Sequence, residues 1–181
     1  MIKKKNMKIE NVVASTEVGQ PLVLEDLLNV LEKSEYEPDQ FPGLVYRMKD
    51  PNVASLIFSS GKIVCVGANS AKKAKDGTKK IVEKISKANP KVNADNLDIS
   101  IQNIVAAIEL NDGLKLDELA FQLEGSEYEP EQFPGLVYRI YDPKAVFLLF
   151  SSGRVVCAGA KSSHYIKKAI KSLENTLNEI I

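Results

Sequence analysis

The sequence predicts an α+β fold built as two copies of one unit, with helices on one side of an antiparallel sheet. The first observation is a duplication. EYEPDQFPGLVYR at 35–47 returns as EYEPEQFPGLVYR at 127–139, and the offset of 92 holds from 35–68 onto 127–160, with 23 identities in 34 positions. Second, each copy carries three short β-forming runs joined by turn residues, and short turns require antiparallel neighbours. Third, each copy carries two stretches with apolar residues at helical spacing. Two copies are too few for a solenoid, so we expect one pseudo-two-fold protein whose ligand offers two similar half-sites.

The elements follow in order. IENVVAS, 9–15, alternates as a strand with Ile9, Asn11 and Val13 on one face and Val12 and Ala14 on the other. Gly19-Gln20-Pro21 ends it, and 21–34 reads as a short helix with Leu24, Leu27, Leu28 and Leu31 in its stripe. EYEPDQFPG, 35–43, is a turn-rich projecting loop, long enough to suspect a function. Strands at 44–49, 53–59 and 62–68 are separated by Asp50-Pro51-Asn52 and Ser59-Ser60-Gly61. Ser70 is placed to cap a long helix whose apolar side holds Ala71, Ala74, Thr78, Ile81, Val82, Ile85 and Ala88. Its other side carries seven lysines from Lys72 to Lys87, either a solvated face or a docking surface. After a linker around Pro90, the second copy replays the order: strand 99–108, helix 114–123, loop 127–135, three strands and a closing helix through Ile166, Ala169, Ile170, Leu173, Leu177 and Ile180. The expected organisation is a basic flexible tail at 1–8, repeat 1 at 9–98 with its linker from about 86, and repeat 2 at 99–181.

Composition is that of a globular chain, 44% apolar and 27% charged over 181 residues. No apolar run approaches the ~20 residues of a membrane span, and MIKKKNMK lacks the apolar stretch of a secretory signal, so an intracellular protein is expected. Cys65 and Cys157 occupy equivalent strand positions and are expected as buried, reduced thiols rather than a disulfide or metal site. Net charge is zero but uneven. Residues 1–92 hold 16 Lys+Arg against 11 Asp+Glu (+5), and 93–181 hold 8 against 13 (−5). Equal motifs with opposite charge cannot have identical partners.

An antiparallel sheet packed on one side should alternate apolar and polar. Here both faces are apolar: Ala54, Leu56 and Phe58 against Ile57, Val64 and Val66 against Ile63 and Cys65, and likewise Leu148, Phe150, Val156 and Ala158 against Leu149, Val155 and Cys157. Two helices per repeat cover one face, so the other needs a subunit, a domain or a ligand. It carries one amide per repeat, Asn11 and Asn103. A surface rich in apolar contact and poor in hydrogen bonds suits the minor groove over A·T pairs, where base edges present only acceptors and no guanine amino group obstructs. Each repeat also has two phenylalanines 17 residues apart, Phe41 with Phe58 and Phe133 with Phe150. Phe41 and Phe133 precede prolines outside any periodic apolar face, whereas for Phe58 and Phe150 residue type leaves a core role and an exposed one open.

At these residues the chain resembles the TATA-box-binding protein family in its compact archaeal form, over about 9–180; EQFPGLVYR, FSSG-basic-VVC-x-GA and QNIV carry the resemblance. The resemblance implies a saddle: a continuous curved antiparallel sheet forms the concave DNA face, four helices lie on the convex side, and the two loops hang as stirrups. It implies a general transcription factor that binds the TATA box in promoter DNA, bends it by phenylalanine insertion, and recruits transcription factor B and RNA polymerase. Phe41 with Phe58, and Phe133 with Phe150, would wedge into base steps. Asn11 and Asn103 would donate to central acceptors; Val13, Val105, Leu56, Leu148, Val64 and Val156 would form an apolar floor, with Val66 and Ala158 beside it and Pro42 and Pro134 next to the wedges. Phosphates would fall to Arg47, Arg139, Lys62, Arg154, Lys144 and Lys161. Glu129, Glu131 and Gln132 in the acidic second stirrup would contact transcription factor B.

Five positions depart from the family pattern. Gln40, Asn52 and Asn69 stand where some relatives have a basic residue, which implies a shallower salt dependence, and Val66 and Ala158 replace base-contacting threonines of eukaryotic relatives. The alternative is a protein-interaction or homodimerisation module using the open apolar face without DNA. An enzyme finds little support: His164 has no paired nucleophile or ligand spacing, its repeat-1 counterpart is Lys72, and Gly67-Ala68 and Gly159-Ala160 lack a phosphate-cradling spacing. No cofactor and no metal are expected.

Overall fold

A computed structural model describes residues 1–181, with eight strands and four helices: β1 (Lys4–Glu17), α1 (Leu24–Leu27), β2 (Leu44–Lys49), β3 (Asn52–Ile57), β4 (Lys62–Ala68), α2 (Ala71–Ala88), β5 (Ser100–Leu110), α3 (Leu116–Gln122), β6 (Leu136–Tyr141), β7 (Lys144–Leu149), β8 (Arg154–Ala160) and α4 (Ser163–Ile180). The sheet order is β2-β3-β4-β1-β5-β8-β7-β6. The chain divides into two compact units, one of residues 11–102 and one of residues 1–10 with 103–181.

In the first unit, β2, β3 and β4 form an antiparallel meander, and β4 pairs with the second half of β1. The alternation expected from the sequence is present. Val53, Ser55, Ile57, Ile63 and Cys65 are buried, while Ala54, Leu56, Val64 and Val66 are half-buried on the opposite face. Helix α2 packs on β3 and β4 through Ala74, Gly77, Thr78, Ile81, Val82 and Ile85. The Ser70 hydroxyl accepts the Lys73 N–H at 3.1 Å, the expected cap. A mid-helix glycine costs ~0.5–1 kcal/mol against alanine. Gly77 is there because a Cβ would stand 2.9 Å from Val53 Cγ2; repeat 2 carries Ala145 and Ala169 at the same two positions, with the volume exchanged.

The second unit repeats the plan with β5, β8, β7 and β6. Helix α4 is capped by Ser162, whose hydroxyl accepts the Tyr165 N–H at 3.2 Å, and buries Ile166, Ala169, Ile170, Leu173 and Leu177. Its core is more apolar than that of the first unit. Phe147 and Ile170 are buried where repeat 1 buries Ser55 and Thr78.

Two expectations need correction. Residues 1–8 do not stand off as a flexible tail. β1 starts at Lys4 and Ile2 is buried. The Ile2 N–H donates to Asn178 Oδ1 at 2.6 Å, Asn178 Nδ2 donates to the Ile2 carbonyl at 2.7 Å, and the Asn111 N–H donates to the Lys3 carbonyl at 2.9 Å. One apolar residue among lysines has no periodicity, and the asparagines that hold this segment, Asn178 at Ile2 and Asn111 at Lys3, lie more than 100 positions away.

The helix expected over 21–34 is the single turn α1. Val23 gives no side-chain cap, only the Leu31 N–H still bonds four residues back (to Leu27 at 2.9 Å) while Val30 and Ser34 bond three back (to Leu27 at 3.1 Å and Leu31 at 3.2 Å), and Lys33 takes φ 61°. Asn29 and Val30 are weak helix formers, whereas Phe121 and Gln122 at the equivalent places follow Ala120 and let α3 run seven residues. Leu24, Leu27 and Leu31 are buried all the same.

Candidate nucleic-acid interface

Each unit leaves one sheet face without a helix, and on it the side chains are apolar and half-exposed. Asn11, Val13, Leu56, Val64 and Val66 share this face in the first unit; Asn103, Val105, Leu148, Val156 and Ala158 share it in the second. Ile9 stays half-exposed on β1, on the face expected for it, and strand alternation adds residues not picked out from the sequence: Val45 pairs with Leu56 and Val137 with Leu148, while Ile101 and Ala107 stay half-exposed on β5. The same period-two pattern could have found them.

A bulge places the amides. On β4, Val66 and Gly67 stand opposite Val13, because the register passes from Val12↔Ala68 to Ala14↔Cys65. On β8, Ala158 and Gly159 do the same opposite Val105, between Ile104↔Ala160 and Ala106↔Cys157. Gly67 and Gly159 take φ 90° and 96°, a conformation that side chains disfavour. The freed N–H of Gly67 donates to Asn11 Oδ1 at 2.7 Å, and that of Gly159 to Asn103 Oδ1 at 2.8 Å. A backbone N–H only donates, so each amide oxygen is engaged and the NH2 donors remain on the open face.

The phenylalanines meet in pairs. Phe41 and Phe58 have ring centroids 5.9 Å apart at 67°, and Phe133 and Phe150 5.9 Å apart at 70°. Edge-to-face contact of this kind stabilises by ~0.5–1.5 kcal/mol and fixes ring orientation. The rings lie over glycine backbone: a Cβ at Gly43 would fall 2.8 Å from Phe41 and 3.1 Å from Phe58, and at Gly135 2.7 Å from Phe133 and 3.1 Å from Phe150. Phe41 is still 38% exposed and Phe133 39%. In each loop one carbonyl holds the turn: the N–H groups of Gln40 and Phe41 both donate to Glu37 at 3.0 Å, and those of Gln132 and Phe133 to Glu129 at 2.9 Å. Pro42 and Pro134 follow, exposed and with no N–H to satisfy. Both readings left open for Phe58 and Phe150 contribute, since each is half-buried under its partner ring.

The cations Arg47, Arg139, Lys62, Arg154, Lys144 and Lys161 are all exposed. Register puts Arg47 opposite Ala54 and Arg139 opposite Val146, on the open face. Arg139 Nη1 donates to Glu127 Oε1 at 2.7 Å, and Arg47 stands 3.7 Å from Glu35; sequence reading did not foresee these pairs. Glu129, Glu131 and Gln132 are exposed. Cys65 and Cys157 are buried free thiols. Burial pushes the Cys157 thiol up to about 12, and it also raises that of Cys65, where Thr78 and Ser55 pull the other way. No group of three or more His, Cys, Asp or Glu is arranged so that it could hold a metal ion, and no helix is long and apolar enough to cross a membrane.

Two repeats of one α+β unit, each presenting an open apolar strand face with a fixed amide donor and a half-exposed phenylalanine pair, define a sheet-based binding protein. The family model described as "Transcription factor TFIID (or TATA-binding protein, TBP)" matches residues 6–88 and 98–180, and the chain belongs to that family. It is 49% identical over 179 residues to the TATA-box-binding protein of Methanocaldococcus jannaschii, covering 99% of this chain and 97% of that protein. It is 47% identical over 182 residues to the TATA-box-binding protein of Picrophilus torridus, covering 99% and 98%. The solved structure of Methanococcus jannaschii TBP superposes with a TM-score of 0.86 at 48% identity, covering 97% of this chain and 99% of that one.

Proposed function

We propose that this chain is a general transcription factor that binds A·T-rich promoter DNA, the TATA box, through the minor groove and bends it. The observation that carries the reading is the pairing of Asn11 and Asn103 with bulge glycines, which leaves only donors toward the ligand. A·T pairs offer only acceptors in the minor groove, so donors and apolar side chains suit them, and a guanine amino group meets both badly. The phenylalanine pairs insert at two base steps; unstacking costs a few kcal/mol per step, offset by contact with the opened groove. Arg47, Arg139, Lys62, Arg154, Lys144 and Lys161 take phosphates. Glu129, Glu131 and Gln132, exposed on a turn that also holds Phe133, dock the basic surface of transcription factor B, through which RNA polymerase is recruited.

Inosine separates the grooves. An I·C pair matches G·C in the major groove but lacks the minor-groove amino group. Central A·T→I·C replacement should retain binding and A·T→G·C should abolish it; equal binding to all three duplexes contradicts minor-groove reading.

A second reading, in which two copies cover each other's apolar faces without DNA, draws on the same half-exposed strands. It predicts a dimer at micromolar concentration that promoter DNA dissociates, and a monomer at every concentration excludes it.

A further inference from the structure

We propose, resting on the DNA reading above, that Glu35 and Glu127 are built-in competitors for the phosphates that Arg47 and Arg139 take, so that each arginine must leave a carboxylate to bind DNA. Arg139 Nη1 donates to Glu127 Oε1 at 2.7 Å, and Arg47 approaches Glu35 to 3.7 Å. Both carboxylates stand on fixed backbone. Glu127 exchanges two 2.9 Å hydrogen bonds with Val137, and Glu35 exchanges bonds of 2.9 and 2.8 Å with Val45. Each arginine lies two residues along the strand from its bridge, on the open face. The acids therefore cannot withdraw with the loop tips. When a phosphate takes the arginine, the carboxylate stays behind, unpaired and close to the DNA.

Two consequences follow. An exposed ion pair stabilises modestly, so the competition weakens binding by a small factor rather than blocking it. Exchanging one anion for another around the arginine also releases fewer ions overall, because the abandoned carboxylate recruits a cation, and this flattens the salt dependence. The two repeats differ: Arg139 is held closer and is less exposed (42%) than Arg47 (67%). The second repeat is the more restrained of the two.

The test is fluorescence anisotropy on a labelled A·T duplex at several salt concentrations, using wild type, E35Q, E127Q, R139Q and E127Q/R139Q. Glutamine keeps the shape and removes the charge. E127Q should bind about two- to fivefold tighter with a steeper salt slope, and E35Q should gain less. The gain should shrink in the R139Q background, since the carboxylate acts through that arginine. If E127Q binds no tighter at any salt concentration, or gains as much without Arg139, the competition is overturned. Wild type that fails to bind the A·T duplex overturns the DNA reading, and the competition with it; wild type that binds while E127Q does not differ overturns the competition alone.

Discussion

Asn103 accepts the backbone N–H of Gly159 at 2.8 Å, and Asn11 accepts that of Gly67 at 2.7 Å. In each case a strand bulge frees the glycine N–H, and the asparagine oxygen consumes it. The consequence is directional: the amide nitrogen faces outward in both repeats because the alternative flip would set two donors against each other. Asn103→Asp keeps the acceptor and removes the outward donor, and it adds a negative charge. It should lower affinity for an A·T duplex by about ten- to a hundredfold, the size of one base contact, as read by anisotropy. Gly159→Ala would place its methyl group in ordinary contact, 3.8 Å from the Ala145 Cα, but must hold φ 96°. The expected result is a smaller loss of affinity with a reduced preference for A·T over G·C.

The rings of Phe133 and Phe150 cross over Gly135, where a methyl group would fall 2.7 and 3.1 Å from them. Gly135→Ala should therefore displace both rings without deleting either. Like Phe133→Ala, it should reduce DNA bending more than it reduces thermal stability. Energy transfer across a doubly labelled duplex, compared with thermal melts of the free variants, separates the two effects.

Phosphate contacts set the salt dependence. The six candidates Arg47, Arg139, Lys62, Arg154, Lys144 and Lys161 give a slope of log K against log salt no steeper than about −5.4, at ~0.9 per contact. Removing Lys62 should weaken binding evenly across sequences and flatten the slope by about one. A sequence-dependent loss would place Lys62 at a base instead.

In the second loop, Glu129 anchors Phe133 through its carbonyl while its carboxylate points to solvent. Glu129→Arg with Glu131→Arg should leave that turn intact. We expect binary DNA binding to persist and the ternary complex with transcription factor B to disappear in a mobility-shift assay. Survival of both complexes would remove the docking role.

Cys157 provides a pH test of the core. Its thiol is raised by burial from 9.0 to about 12, so above pH 9.0 the unfolded chain loses a proton that the folded chain keeps. The neutral thiol's contribution is fully present below pH 9.0 and is lost as the pH rises toward about 12, at up to ~1.4 kcal/mol per pH unit. Cys157→Ala should flatten that alkaline limb relative to wild type in urea titrations, while lowering stability at pH 7 through the lost volume.

Much of this arrangement was legible in the sequence, because it rests on short-range signals. Period-two runs with apolar residues on both faces gave the strands and their uncovered side, and Ser70 gave the start of α2. The duplication transferred every assignment from one repeat to the other. What stayed hidden depended on partners distant in sequence. Ile2 is held by Asn178, and the bulge that aims Asn11 needs Gly67, 56 residues away. The Glu127–Arg139 pair spans only 12 residues, but it needs the loop base to bridge back onto β6 at Val137, which a turn-rich stretch does not announce. The short α1 fell between signals: its leucines have helical spacing, but Asn29 and Val30 do not sustain the helix.

The most direct measurement is end-to-end energy transfer on a short labelled duplex with an A·T centre and on one with a G·C centre, titrated with the protein. A saturable rise on the A·T duplex alone is the predicted result, because fixed donors and paired phenylalanines require an open, acceptor-lined groove. Binding with no change in end-to-end distance would contradict the wedge, and no binding to either duplex would contradict the DNA reading itself.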